Sequence, residues 1–140
     1  MITIRKQEIV KLEDVFYLYQ AVGWTNYTNQ PQMLEQALSH SLAIYLALDG
    51  DTVVGLIRLV GDGFSSVFVQ DLIVLPTYQR QGIGSALMKQ ALGDFKGAYQ
   101  VQLVTEQTEK NVRFYRSIGF ETLSTYDCIG MIWVDREKLQ

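Results

Sequence analysis

Between residues 79 and 85 the chain reads Gln79-Arg80-Gln81-Gly82-Ile83-Gly84-Ser85, a run whose chemistry lies in its backbone. Gly82 and Gly84 remove the Cβ atoms that would hold a bound group away from main-chain N–H donors. The spacing predicts a helix directly afterwards, because Ile83, Leu87, Ala91 and Phe95 recur at i, i+4, i+8 and i+12. The donors therefore sit at a helix N-terminus, where the macrodipole also favours an anion. That combination points to pyrophosphate binding. Two other readings compete with it. A strand-to-helix turn can need small residues for packing alone. A dinucleotide fold would need a third glycine where Leu87 stands, and its turn would not lie mid-chain. Other reactive side chains are sparse. His40 is the sole histidine and falls in a connection, where solvation is its simplest role. Cys128 has no histidine near it in sequence to activate a thiolate. No His/Cys/Asp/Glu spacing suggests a metal, so none is expected.

The elements that must position the glycine turn can be read on either side of it. Val67, Phe68, Val69, Leu72, Ile73 and Val74 are β-formers bounded by Pro76, as in a largely buried strand. Strict alternation would place Val69, Asp71 and Ile73 on one face of it. A strand from Tyr99 to Thr105 follows the helix, and the strand–helix–strand order makes it the parallel neighbour of Val67–Leu75. Upstream, Met1–Ile4 reads as a short strand broken by Arg5-Lys6-Gln7-Glu8. Leu12, Val15, Phe16, Tyr19 and Val22 form the apolar stripe of a helix ended by Gly23. Residues 24–31 then read as a loop carrying Trp24 and Tyr27. Pro31 opens a second helix faced by Met33, Leu34, Ala37 and Leu38. Ser41–Asp49 and Thr52–Val60 flank Gly50 as a β-hairpin, and Gly61-Asp62-Gly63 turns into the central strand. Downstream, Thr108 caps a helix that stops at Gly119. Two last strands are expected at Glu121–Thr125 and Ile129–Val134, joined around Asp127. The fold class is α+β: a mixed, mostly antiparallel sheet flanked by helices.

Composition narrows the partners. The 140 residues suit one domain, and 48% apolar with 19% charged residues is ordinary for a globular chain. Twelve basic against fifteen acidic side chains, with no basic run, argue against nucleic acid. No apolar stretch approaches the roughly 18 residues of a membrane span, and no secretory leader opens the chain, so no membrane partner is expected. The single cysteine favours a reducing compartment and a cytoplasmic protein. A homodimer is compatible with all of this.

Gln79, Gly82 and Gly84, after a strand and before a helix, match in order the Gln/Arg-x-x-Gly-x-Gly/Ala pattern of motif A of the GCN5-related N-acetyltransferases. Asn111-Val-Arg-Phe-Tyr115-Arg-Ser-Ile-Gly119-Phe120 is similar to the late Tyr…Gly-Phe helix of that superfamily (GNAT). The two blocks stand in family order, and the resemblance spans most of the chain. It implies acetyl-CoA as co-substrate, and a central parallel strand pair that splays to admit the pantetheine arm. By motif position, Leu72, Ile73 and Val74 would pair through their backbone with the pantetheine amides. The N–H groups of Arg80, Gln81, Gly82, Ile83, Gly84 and Ser85 would hold the pyrophosphate beside Gln79. The family often places a cofactor-touching asparagine seven residues before the tyrosine. Here Thr108 holds that position and Asn111 lies one helical turn from the tyrosine, and either could substitute.

The same resemblance assigns the general acid, while strand position and burial suggest candidates for the base. Tyr115 would donate a proton to the leaving thiolate as an amine attacks the thioester, although a tyrosine there could equally pack on Phe120. Asp71, raised in pKa by burial, or Glu106, at the end of the neighbouring strand, would take the proton from the incoming ammonium; an ordered water is the other candidate. Trp24 and Tyr27 would form a wall of the acceptor site suited to an aromatic or apolar amine, or would simply anchor their loop. The function expected is transfer of acetyl from acetyl-CoA to a primary amine, small molecule or peptide, by direct attack in a ternary complex. The alternative is a non-catalytic acyl-CoA-binding sensor or interaction module.

Overall fold

The two most apolar stretches of the chain lie side by side in the middle of one sheet. β2 (Ala43–Asp49) and β3 (Thr52–Gly61) form the expected hairpin, with Gly50 at φ +62° in the turn. Six consecutive residues of each strand are buried, so both faces of the sheet must be covered. On one face, α1 (Leu12–Ala21) and α3 (Pro31–Ser39) bring Val15, Leu18, Leu34 and Leu38 against Ile44, Leu46, Leu48 and Leu56. On the other, α4 (Ile83–Asp94) seats Ile83, Leu87, Met88 and Ala91. Burying each large aliphatic side chain here contributes about 1.5–3 kcal/mol.

A computed structural model describes residues 1–135 and 137. Its sheet has the order β1-β2-β3-β4-β5, completed by β1 (Ile2–Gln7), β4 (Ser66–Val74) and β5 (Gln100–Leu103). The first three pairings are antiparallel and β4–β5 is parallel, the mixed α+β architecture expected. Met1–Val104 and Thr105–Gln140 form two compact units. The second contains α5 (Glu109–Ile118) and a 3-10 turn at Leu123–Tyr126. Among the described residues, no helix is long and apolar enough to cross a membrane.

Several expectations are corrected. β1 runs through Arg5 and Lys6 to Gln7, because at the sheet's edge both side chains stay exposed while their backbone pairs with Leu46 and Tyr45. Residues 25–28, expected as loop, make one helical turn, α2 (Thr25–Thr28). The strands expected at 121–125 and 129–134 are not formed. Hydroxyl contacts among Thr122, Ser124 and Thr125, with Asp127 at φ 59°, wind the first into a 3-10 turn. Residues 129–134 have β-forming side chains but no ladder partner among the described residues.

One further departure bears on function. The β3–β4 register pairs Arg58 with Asp71 but Leu59 with Val69, leaving Gln70 as the extra residue of a β-bulge. A bulge breaks period-two alternation, so Val69 and Asp71 face opposite ways. Val69 lies with Leu59, Met88 and Ala91 on the α4 side. Ile73 packs with α1 and α3, and Asp71 shares that face.

Candidate active site

β4 is laddered to β3 as far as Val74, but its ladder to β5 ends at the pair Val69–Leu103. From Gln70 to Val74 the β5-facing backbone edge of β4 has no strand partner among the described residues. Leu72, Ile73 and Val74 therefore carry main-chain donors and acceptors on an opened edge, which is where an extended amide-bearing ligand can add as a strand. The bulge at Gln70 marks where the strands part.

After β4 a 3-10 turn at Pro76–Tyr78 reverses the chain, held by the Tyr78 hydroxyl on Asp49 Oδ2 at 2.6 Å. Gln79 donates from Nε2 to the Val74 carbonyl at 3.2 Å, tying the turn to the end of β4. Arg80 and Gly82 both adopt positive φ, +66° and +79°, and Gly82 is the N-cap of α4. A Cβ built on Gly82 meets no heavy atom within 4 Å, so its glycine is demanded by backbone conformation and not by protein packing. The packing explanation for this turn is thereby weakened. Ile83 is buried and anchors the helix, while Gln79, Arg80, Gln81 and Gly82 are exposed and Gly84 and Ser85 half-buried. The first-turn N–H groups precede the first intrahelical bond, Ala86 N–H to the Gly82 carbonyl at 3.0 Å. This donor set fits a pyrophosphate.

Asp71 is 2% exposed and Arg58 4%. The Arg58 Nε donates to Asp71 Oδ2 at 2.7 Å, and the Tyr19 hydroxyl reaches the same oxygen at 2.8 Å. The Tyr27 hydroxyl donates to Oδ1 at 2.8 Å, so both carboxylate oxygens already serve internal donors. Burial, followed by the Asp71 charge, raises the Tyr19 and Tyr27 phenols above their ordinary pKa. Tyr27 is buried, with its ring edge-on to Tyr19 at 5.0 Å. Trp24 is half-buried and packs edge-on to Tyr19 at 6.1 Å. Sequence reasoning singled out Asp71 and Tyr27 but missed Arg58 and Tyr19. The available signal was a lone arginine in the apolar run Val53–Val60, with an aspartate in the adjacent strand.

In the second unit, Thr108 caps α5 as expected, its Oγ1 accepting from the Asn111 N–H at 3.1 Å. The Asn111 Nδ2 donates to the Glu106 carbonyl at 3.0 Å. These groups of Thr108 and Asn111 are thus engaged in building the helix start. Glu106 does not end a strand as expected. β5 stops at Leu103, and Glu106 lies in the capping loop, where its carbonyl also accepts from Thr108 N–H. Gly119 closes α5 at φ +118°, and the Tyr115 ring meets Phe120 edge-on at 6.0 Å. Burial raises the Tyr115 phenol above its ordinary pKa, and a hydrogen bond with Thr105 counteracts part of this. Both the packing and the proton therefore remain with this tyrosine.

Residues 40–122 match the family model for the acetyltransferase (GNAT) domain. The chain belongs to the GNAT acetyltransferase family. A GNAT-family acetyltransferase of Streptococcus pneumoniae is 82% identical in sequence, superposes with a TM-score of 0.90, and the match covers 97% of this chain and 99% of that one. GCN5-related N-acetyltransferase 1 of Arabidopsis thaliana, a chloroplastic protein, is 29% identical over 96% of this chain and 68% of its own length. Serotonin N-acetyltransferase 2 of rice, also chloroplastic, is 30% identical over 65% of this chain, which spans about half (48%) of that protein. A Thermoplasma acidophilum N-acetyltransferase solved with coenzyme A shares the fold, with a TM-score of 0.65 at 19% identity over 86% of this chain and 91% of that one. Among the described residues of this GNAT chain, no group of three His, Cys, Asp or Glu side chains could hold a metal ion.

Proposed function

We propose that this GNAT chain transfers acetyl from acetyl-CoA to a primary amine by direct attack in a ternary complex. The observation that carries the proposal is the opened edge of β4, running into a positive-φ glycine corner at the start of α4. The backbone of Leu72, Ile73 and Val74 would pair with the pantetheine amides. The N–H groups from Arg80 to Ser85 would bind the pyrophosphate, with Gln79 bracing the corner. Thr108 and Asn111 are proposed to shape the remaining cofactor contact by fixing the start of α5.

In the reaction the amine nitrogen bonds to the acetyl carbonyl carbon and the carbon–sulfur bond breaks. Tyr115 is proposed to give its phenolic proton to the departing sulfur. The amine must arrive without its proton, and a base has to reach that proton within about 3 Å. Both Asp71 oxygens already face internal donors, so Asp71 is better suited to hold the Tyr19–Tyr27 wall than to abstract a proton. Glu106, whose side chain is exposed, or a water takes that role in this reading.

Half-buried Trp24, braced by Tyr19 and Tyr27, would present an aromatic surface to the acceptor. An aromatic or apolar amine fits that surface, as the serotonin named for the rice relative would. The exposed, single Cys128 suits a reducing compartment such as cytoplasm. Calorimetric titration with acetyl-CoA, followed by an assay of CoA release against an amine panel, tests the proposal. Amine-dependent release supports it; tight binding without release would favour an acyl-CoA-sensing module.

A further inference from the structure

From Val67 to Val74, Gln70 and Asp71 are polar and every other residue is apolar. In a regular strand two consecutive side chains point to opposite faces. The bulge breaks that rule, and both side chains reach the same phenol. The Tyr27 hydroxyl donates to Asp71 Oδ1 at 2.8 Å, while Gln70 Nε2 approaches the Tyr27 oxygen at 3.5 Å. Arg58 Nη2 donates to that oxygen as well, at 3.2 Å. With its hydrogen committed to Asp71, Tyr27 can only accept from Gln70, which turns the NH2 end of the amide inward. The other end, Oε1, has no hydrogen-bond partner among the described residues, and Gln70 is exposed. Its position on the strand gives that oxygen a use. Val69–Leu103 is the last pair of the β4–β5 ladder, so Gln70 is the first residue of the opened edge. A cofactor with its pyrophosphate at the glycine corner and its amides along Val74, Ile73 and Leu72 would bring its acyl end towards Gln70.

We propose that Gln70 orients the acceptor, its Oε1 accepting a hydrogen bond from the attacking primary amine. The inference rests on the amine transfer proposed above and adds the residue that selects for it. A primary amine that has given up its ammonium proton keeps two N–H bonds. Holding one of them fixes the rotation of the nitrogen, and with it the direction of the lone pair. A neutral amide cannot take the proton itself, so the base remains a separate group. Asp71 cannot do this work, because both its oxygens are engaged by Arg58, Tyr19 and Tyr27. That buried network lies behind Gln70 and is already paired, so the amide is oriented before the acceptor arrives.

Kinetics and calorimetry of Gln70→Leu and Gln70→Glu test this, with serotonin and an unbranched alkylamine as acceptors. Because the side chain is exposed, both variants should keep the parent melting temperature. Gln70→Leu should lower kcat/KM for the amine roughly tenfold, the scale of one neutral hydrogen bond, and leave acetyl-CoA affinity unchanged. Gln70→Glu keeps an acceptor oxygen in that place. It should retain most of the rate and add a carboxylate ionisation to the acid limb of the pH profile. An active wild type whose Gln70→Leu variant is unchanged towards the amine, or loses amine and acetyl-CoA alike, would overturn the inference. If Gln70→Leu unfolds, Gln70→Glu decides: a pH profile identical to that of the wild type overturns the inference. A wild-type chain that acetylates neither amine while binding acetyl-CoA contradicts the proposed function itself, and this inference with it.

Discussion

Replacing Asp71 by asparagine keeps the size and planar shape of the side chain while removing the charge that Arg58, Tyr19 and Tyr27 share. Arg58 lies 2.7 Å away and is almost wholly buried, so it would be left as a guanidinium facing an amide. Breaking one side of a buried ion pair costs about 3–5 kcal/mol, and retained hydrogen bonds to asparagine place the expectation near the lower end. For a chain of this size that corresponds to a melting temperature lower by roughly 10 °C. Removing both charges, in Arg58→Met with Asp71→Leu, should cost less than the two single changes together, with a coupling of about 2 kcal/mol. Thermal and urea unfolding followed by circular dichroism measure each corner of that cycle. A folded Asp71→Asn protein within about 1 kcal/mol of the parent would refute the account of the network. Kinetics of the same variant separate two roles. If Asp71 positions the acceptor wall, KM for the amine rises while acetyl-CoA affinity holds; if Asp71 were the base, kcat would fall with KM little changed.

Tyr115→Phe keeps the edge-on contact with Phe120 but removes the proton, so the single-turnover rate should fall by roughly 10²-fold with acetyl-CoA affinity little changed. Wild-type rates would return Tyr115 to a packing role. Trp24→Ala should weaken use of the amine and leave acetyl-CoA binding intact, and equal losses for both ligands in titration would mark a scaffold residue instead. Gly82→Val should abolish acetyl-CoA binding, because a branched Cβ stands over the donors, and should also cost about 1–2 kcal/mol for a side chain at φ +79°. Unchanged affinity in a folded variant would remove the glycine corner from the site. Alkaline titration should destabilise the protein. Tyr19 and Tyr27 have pKa values raised in the folded state above the unfolded value of about 10, so the folded chain holds those protons longer. Their contribution is complete below pH ~10 and is lost as pH rises above it, which unfolding curves between neutral and strongly alkaline pH would register.

The parts of the fold that follow from local chemistry were legible in the sequence. Asp49-Gly50-Asp51 between two apolar runs announces its hairpin, Thr108 and Gly119 bracket α5, and the stripe from Ile83 to Ala91 faces the core. What escaped depends on partners distant in sequence. The bulge at Gln70 is a property of how β3 and β4 register, and it turns Asp71 to the face opposite Val69. Arg58, the missed member of the buried cluster, is identifiable only once its strand lies beside that aspartate. β1 survives two basic residues because it is an edge, and edge position is not written in its own composition. Residues 129–134 have β-propensity, but propensity without a ladder makes no strand. For the candidate site, the glycine corner was readable from spacing, whereas the end of the β4–β5 ladder at Val69 is set by how two strands distant in sequence pair.

Incubation with acetyl-labelled acetyl-CoA, with and without a panel of primary amines, followed by mass spectrometry of both the amine and the intact protein, tests the central claim most directly. Direct transfer from the β4 edge predicts label on an amine, none retained on the protein, and no transfer by folded Gly82→Val. Label held on the protein, or bound acetyl-CoA that acetylates no amine, would contradict it.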